Sequence, residues 1–199
     1  MREWTETEYP AVRARAEAEE AVIMFADQVR ARSDHLSGRT WGAKGQTPVV
    51  ARTGKRFGLN AMSAISTTGK MYFTIFPGWF DAPTCIAFFA KLIGHFDQKI
   101  HLVLDRHSVH RSKAVREWVA KHAEAIELHF LPAYAPHLNP DELVNADLKH
   151  QLADRVITSR EQLIAETRSV LRSIQKLPTR IIGYCQAPQT NYTMKPSCC

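Results

Sequence analysis

Three acids in this chain, Asp27, Asp105 and Glu142, stand where a fold can gather carboxylates for metal ions. Ile100 to Leu104 is a short apolar run of buried-strand character, and Asp105 breaks it where the chain must turn outward. A second apolar run, Ile126 to Leu131, leads through Pro132, Pro136 and the Asn139-Pro140 pair into a helix whose third position is predicted to be Glu142. Upstream, Ala21 to Ala26 runs straight into Asp27, so a first strand is expected to end there. Three carboxylates suffice for a pair of divalent ions, with waters and phosphate oxygens completing the near-octahedral shells that Mg²⁺ prefers. Such a pair activates a water or hydroxyl and stabilises an alkoxide leaving group. Taken singly, either aspartate could equally be a turn or cap residue, and Glu142 could complete a capping box or favour the helix dipole. Asp141 is the awkward neighbour, because on chemistry alone either adjacent acid is an acceptable ligand.

The sequence blocks around these acids narrow the choice. The strand leading to Asp27, RTWGAKGQTPVV from Arg39 to Val50, LVLDRHSVH around Asp105, and YAPHLNPDELVNADLK from Tyr134 to Lys149 resemble the catalytic domain of mariner-superfamily DDE transposases, in their bacterial insertion-sequence branch. The last block is the most specific. The resemblance implies a ribonuclease-H-like α/β fold, a mixed sheet of about five strands flanked by helices. It also implies Asp27, Asp105 and Glu142 as the acidic triad, since the family pattern places the glutamate second after the proline. Two Mg²⁺ or Mn²⁺ ions would be held there, with Asp27 bridging both. The activity implied is metal-dependent DNA cleavage and strand transfer at transposon ends. Relatives carry helix-turn-helix modules before this domain, so a separate helix-turn-helix protein or a homologous transposase is expected to supply end recognition. A homodimer on DNA is expected as well.

Composition is compatible with that reading. The chain has 199 residues, 45% of them apolar, enough for one substantial core. Residues 1–20 carry three arginines against six glutamates, net −3, so the remaining 23 basic and 14 acidic residues give the rest of the chain a net +9. A basic body of that kind suits an anionic partner. Without metal or DNA, a cluster of acids in it would only repel. The segment from Gln28 to Gly58 concentrates Arg30, Arg32, Arg39, Lys44, Arg52, Lys55 and Arg56 against Asp34 alone, making it the candidate phosphate-contacting surface. Trp41 within it could stack on an unpaired base or serve as a buried anchor. Asn145 and Lys149 share a helical stripe with Glu142, placed to hold phosphate or orient the carboxylate, and His110 is read as either a substrate contact or a helix-entry residue. No segment approaches the apolar length of a bilayer span and the acidic amino terminus does not resemble a secretory signal, so a cytoplasmic location is expected. Cys85, Cys185, Cys198 and Cys199 lack zinc-ligand spacing.

The elements that must position these residues follow from periodicity and punctuation. Residues 1–20 read as a lead-in helix, 21–182 as the catalytic domain, and 183–199 as an irregular tail. Leu59 to Ser66 and Met71 to Phe76 are predicted strands around a Thr67-Thr68-Gly69 turn. Asp81 is expected to cap a helix through Phe96 with an aromatic face, Ser112 a helix to about His122, and Ser159 with Gln162 a final helix through Arg172 that Pro178 ends. A strand, helix and strand in succession around Asp105 imply a parallel crossover. Three alternatives stand beside this reading: a nuclease of the same fold without strand transfer, an inactive DNA-binding transposase remnant, and a carboxylate-pair glycosidase. The last lacks support from the basic distribution and the Asn-Pro-Asp-Glu context.

Overall fold

The computed structural model describes residues 1–34, 44, 56–76 and 78–194. A five-stranded mixed sheet runs in the order β3-β2-β1-β4-β5, formed by β1 (Val22–Arg32), β2 (Gly58–Ser66), β3 (Met71–Phe76), β4 (Ile100–Leu104) and β5 (Ile126–Phe130). The first three strands pair antiparallel, while β4 joins β1, and β5 joins β4, in parallel. The Thr67-Gly69 turn and the parallel crossover both form as the sequence implies. One expectation needs correction. β1 does not end at Asp27 but continues to Arg32, because β2 stays paired to it as far as Arg32 opposite Gly58. A solitary acid is tolerated within a strand where one edge has lost its neighbour.

Helices cover both faces. On one side α2 (Ala82–Ile93) and α3 (Lys113–Lys121) bury Cys85, Phe88, Phe89, Leu92 and Val115 against Met24, Met62 and Leu102 of the sheet. Their caps are the expected ones: Asp81 accepts from Thr84 N–H at 2.9 Å and Ser112 from Val115 N–H at 3.4 Å. On the other side lie α1 (Tyr9–Ala18), α4 (Asp141–Ala153), α5 (Arg160–Gln175) and α6 (Pro178–Cys185). They contribute Tyr9, Val144, Leu148, Leu152, Leu163, Leu171 and Ile181 to a second core around Phe25, Val29 and Val103. No helix among the described residues is long and apolar enough to cross a membrane.

The carboxyl-terminal part of the chain differs from the sequence reading. Pro178 opens α6 rather than closing the fold, as a first-turn proline does, and α6 runs through Gly183, where an irregular tail was expected. Residues 192–193, after α6, are held by the first helix: Tyr9 Oη donates to the Thr193 carbonyl at 3.1 Å and Arg13 to that of Tyr192 at 2.8 Å. The buried Cys85 and Cys185 are free thiols, while Cys198 and Cys199 lie outside the described residues.

Gly69 shows why α6 and the hairpin must fit each other. Its φ is +86°, and a β-carbon there would meet the Pro178 β-carbon at 2.8 Å and the Pro178 carbonyl oxygen at 2.9 Å. Gly183, inside α6, has open space instead. Gly69→Ala is therefore expected to destabilise the protein by about 1 kcal/mol or more, and Gly183→Ala to stabilise it by roughly 0.5–1 kcal/mol. Urea denaturation of the two variants checks both signs.

Candidate active site

Alternation along the strands brings the first two acids together. Phe25 and Val29 of β1, and Val103 of β4, face the core beneath α4, so Asp27 and Asp105, each two residues beyond one of these, face that side too. The parallel register pairs Phe25 with Val103, and extending it by two residues sets Asp27 level with Asp105. β4 has ended by then, so a cavity opens along the vacated edge of β1. Its volume is about 580 Å³, and its lining includes Asp27, Asp105 and Glu142 together with Arg106, Arg111 and Tyr134.

Glu142 arrives from a different layer. α4 begins at Asp141 with Pro140 as its cap, making Glu142 the second helical residue rather than the third. Asn139, 2% exposed, fixes this helix start against the sheet. Its Nδ2 donates to the Ala26 carbonyl at 3.0 Å, beside the strand edge that β4 has left, and its Oδ1 accepts from the Asp141 backbone N–H at 3.0 Å. The two adjacent acids then part company. Glu142 lines the cavity, whereas Asp141 is fully buried and accepts from Ser63 Oγ at 2.7 Å.

The carboxylates are oriented by donors behind them. Asp27 Oδ1 accepts from the Gln28 N–H at 2.8 Å and Oδ2 from Asn145 Nδ2 at 2.8 Å. Asp105 Oδ1 lies 2.9 Å from His110 Nδ1 and 3.1 Å from the His107 N–H. Both contacts fall on Oδ1, and Oδ2 has no protein donor among the described residues. Burial pushes Asp27 well above the ordinary carboxylate range, and the charges of Glu142, Asp141 and Asp105 push the same way against the Gln28 N–H. Burial would raise Asp105 as well, but the hydrogen bonds from His110 and His107 outweigh it and hold the group below its usual value. Burial carries Asp141 up to about 8 despite the Ser63 hydroxyl. The donor set is all oxygen and opens on one side to solvent, which fits hard divalent cations such as Mg²⁺ or Mn²⁺.

Residues 22–164 match the family described as DDE superfamily endonuclease. The chain belongs to that family. Its fold is similar to that of the mariner Mos1 paired end complex with Mg, with a TM-score of 0.58 at 19% identity over 94% of this chain and 61% of that one. A pre-cleavage Mos1 transpososome gives a TM-score of 0.61 at 16% identity, covering 96% of this chain and 62% of that one. The catalytic domain of Mos1 mariner transposase gives 0.55 at 15% identity, covering 93% and 92%. The fold is thus ribonuclease-H-like. The chain spans about three fifths of the Mos1 chains in the first two complexes, 61% and 62%. No curated protein matches the sequence.

Other residues singled out in the sequence of this family member take varied positions. His110 and Asn145 are each 1% exposed, and they bond to Asp105 and Asp27 respectively, so of the two roles read for each the geometry favours helix entry for His110 and orienting the carboxylate for Asn145. Lys149 is exposed on α4 but does not line the cavity. Arg30 lines a neighbouring cavity of about 490 Å³ with Gln28, Asn60 and Trp79. Arg56 pairs with Asp34 at 3.3 Å, and Lys44 is exposed. Arg39, Trp41, Arg52 and Lys55 lie outside the described residues, as does nearly all of the Arg39–Val50 block. Arg106 and Arg111 were missed, although their spacing around Asp105 was a usable signal. Tyr134 carried a signal only as part of the block it opens. Its φ of +58° is a left-handed backbone rare for a bulky side chain and costs on the order of 1 kcal/mol or more.

A second cluster went unnoticed in the sequence. Among the described residues, His101, Glu127 and His129 are the group whose ligand atoms come within 4.8 Å of one another. The three are already engaged: His101 Nε2 lies 2.8 Å from Glu19, its Nδ1 3.0 Å from His129 Nε2, and Glu127 pairs with Arg15. Lys99 joins Glu19 at 2.8 Å. The cluster accordingly acts as a polar clasp between α1 and the sheet. Burial pushes His129 down to about 4, against the pull of Glu127.

Two predictions follow from this geometry. Asn139→Ala should cost about 1–3 kcal/mol by leaving a buried carbonyl and N–H unpaired, measured by urea denaturation, with a neutral result removing its role as a clamp. The clasp gives a pH dependence. The unfolded chain protonates His129 near 6.5 and the folded one near 4, so stability should drop as pH falls through that window. His129→Gln should make this decline shallower, and denaturation midpoints at pH 7 and pH 4.5 test it.

Proposed function

We propose that this chain is the catalytic domain of a mariner-superfamily transposase of the bacterial insertion-sequence branch, cutting and joining DNA at transposon ends. The supporting observation is the convergence of Asp27, Asp105 and Glu142, from two neighbouring strands and the first turn of α4, on one cavity rimmed by Arg106 and Arg111. These three carboxylates would hold two Mg²⁺ or Mn²⁺ ions, which when bound activate a water or 3′-hydroxyl and stabilise the alkoxide leaving group.

The chain's own residues do the positioning. Asn145 and the Gln28 N–H set the Asp27 carboxylate, while His110 and the His107 N–H set that of Asp105. Such supports keep a ligand's orientation from being lost to rotation. Glu142 is held in the first turn of α4, where the helix dipole favours a carboxylate. Arg106 and Arg111 attract the phosphodiester to the cavity, and Arg30 with the basic segment that follows it extends the phosphate path. The Mos1 neighbours are paired end and strand transfer complexes, and a homodimer of this chain bridging two DNA ends is part of the same proposal.

The test is incubation with a DNA end from the host element and Mg²⁺, scored for both cleavage and joining. Wild type should give both products. Asp27→Asn, Asp105→Asn and Glu142→Gln should each lower the rate by at least about 10³-fold, as loss of one member of a cooperating catalytic set does. Asp141→Asn should stay within about tenfold of wild type, because Asp141 is turned away from the cavity. Loss with Asp141→Asn and a silent Glu142→Gln reverses the choice between the two acids. Nicks without joining reduce the reading to a nuclease, and metal-independent binding without cleavage reduces it to a DNA-binding remnant.

A further inference from the structure

Two large aromatic rings stand in water beside the acidic cavity. Tyr134 is 100% exposed and Trp79 is 85% exposed, whereas a folded chain ordinarily covers most of such rings. Neither ring is exposed because its segment is loose. Around Tyr134, Leu131 and Ala135 are buried, Arg106 Nε donates to the Leu131 carbonyl at 2.9 Å, and Tyr192 Oη donates to that of Leu138 at 2.9 Å. The backbone is thus pinned on both sides while Tyr134 itself takes its left-handed φ. Trp79 is presented similarly. Asn60 donates to the Gly78 carbonyl at 2.7 Å, Thr84 Oγ1 donates to that of Trp79 at 3.4 Å, and the neighbouring Phe80 packs on His107 and His110 at ring separations of 5.6 and 5.4 Å.

The two rings belong to adjoining cavities. Tyr134 lines the one holding Asp27, Asp105 and Glu142, Trp79 lines the one holding Gln28, Arg30 and Asn60, and His107 lines both. The result is a trough with carboxylates and arginines along it and an uncovered aromatic face in each compartment. A fixed aromatic ring beside a phosphate-binding groove is how single-stranded nucleic acid is held, since every base offers a face for stacking.

Resting on the reading of this chain as a DNA-processing domain, we propose that Tyr134 and Trp79 are stacking sites for unpaired nucleobases of the strand whose phosphate lies at the acidic cavity. Each ring takes one base that has left the duplex. The substrate the trough accepts is therefore DNA opened near the reacting phosphate rather than a continuous duplex.

The experiment compares binding, without added divalent ion, of a blunt hairpin duplex and the same hairpin ending in three unpaired nucleotides, one of them 2-aminopurine. Wild type should prefer the unpaired end by at least about tenfold and quench the 2-aminopurine. Tyr134→Ala and Trp79→Ala should each lower affinity for that end by roughly 5–100-fold, with less than about twofold change on the blunt duplex. Tyr134→Phe should stay near wild type, because it keeps the ring. Tyr134→Gly should bind like Tyr134→Ala while melting higher, because glycine accepts the left-handed backbone. No preference in wild type, equal losses on both DNAs, or a Phe variant as weak as the Ala variant overturns the proposal. Cleavage in Mg²⁺ is scored separately. Cleavage without base preference leaves the catalytic reading standing and removes the stacking sites, and stacking without cleavage does the reverse.

Discussion

The acidic cavity depends on one side chain that never enters the proposed chemistry. Asn139 donates to the carbonyl of Ala26 and accepts from the N–H of Asp141, so a single buried amide ties the middle strand to the start of α4. The residue after Ala26 is Asp27 and the residue after Asp141 is Glu142. Positional error between two of the three carboxylates is thus confined to the short arms on either side of Asn139. Both backbone groups would otherwise be orphans, one where β4 has left the sheet and one at an uncapped helix start. The two hydrogen bonds that fix the geometry also satisfy these two backbone groups.

Unequal strand lengths create the space that this clamp organises. β1 has eleven residues and β4 five, so β1 continues beside an empty edge. Were β4 longer, Asp27 would face a paired neighbour and the cavity would be filled by ladder. The antiparallel pairing with β2 is what continues β1 as a strand past that point, and Ser63 of β2 donates to Asp141.

Electrostatics then gives three of the neighbouring acids different roles. Asp105 is stabilised as a carboxylate by His110 and the His107 N–H, Asp27 is pushed up by burial and then by its charged neighbours, and Asp141 is protected from solvent altogether. Cation attraction at such a site comes from unneutralised carboxylates, and the arginines Arg106 and Arg111 at the rim serve the opposite charge of a phosphate. Among the described residues no ion pair joins these two sets, so the arginines do not neutralise the carboxylates across the cavity. His110 and Asn145 sit where solvent is excluded, so their bonds to the carboxylates face little competition from water.

Local signals in the chain determined a good part of this. Apolar runs broken by Asp105, the Asn139-Pro140 step into α4, and the Asp81, Ser112 and Ser159 caps are all short-range patterns whose physics is complete within a few residues. The buried-strand character of β4 was legible for the same reason. What the tertiary structure decided was everything that depends on a partner distant in sequence. β1 runs to Arg32 because β2 pairs with it, Pro178 opens α6 where a stop had been read, and Tyr192 and Thr193 are held by Arg13 and Tyr9. For His110 and Asn145 the sequence left two roles open each, and burial together with their bonds to Asp105 and Asp27 is a matter of long-range packing. A sequence pattern reports which face of an element is apolar. Which neighbour covers that face, and where the covering stops, is set by long-range packing, and at this cavity that stopping point is the end of β4.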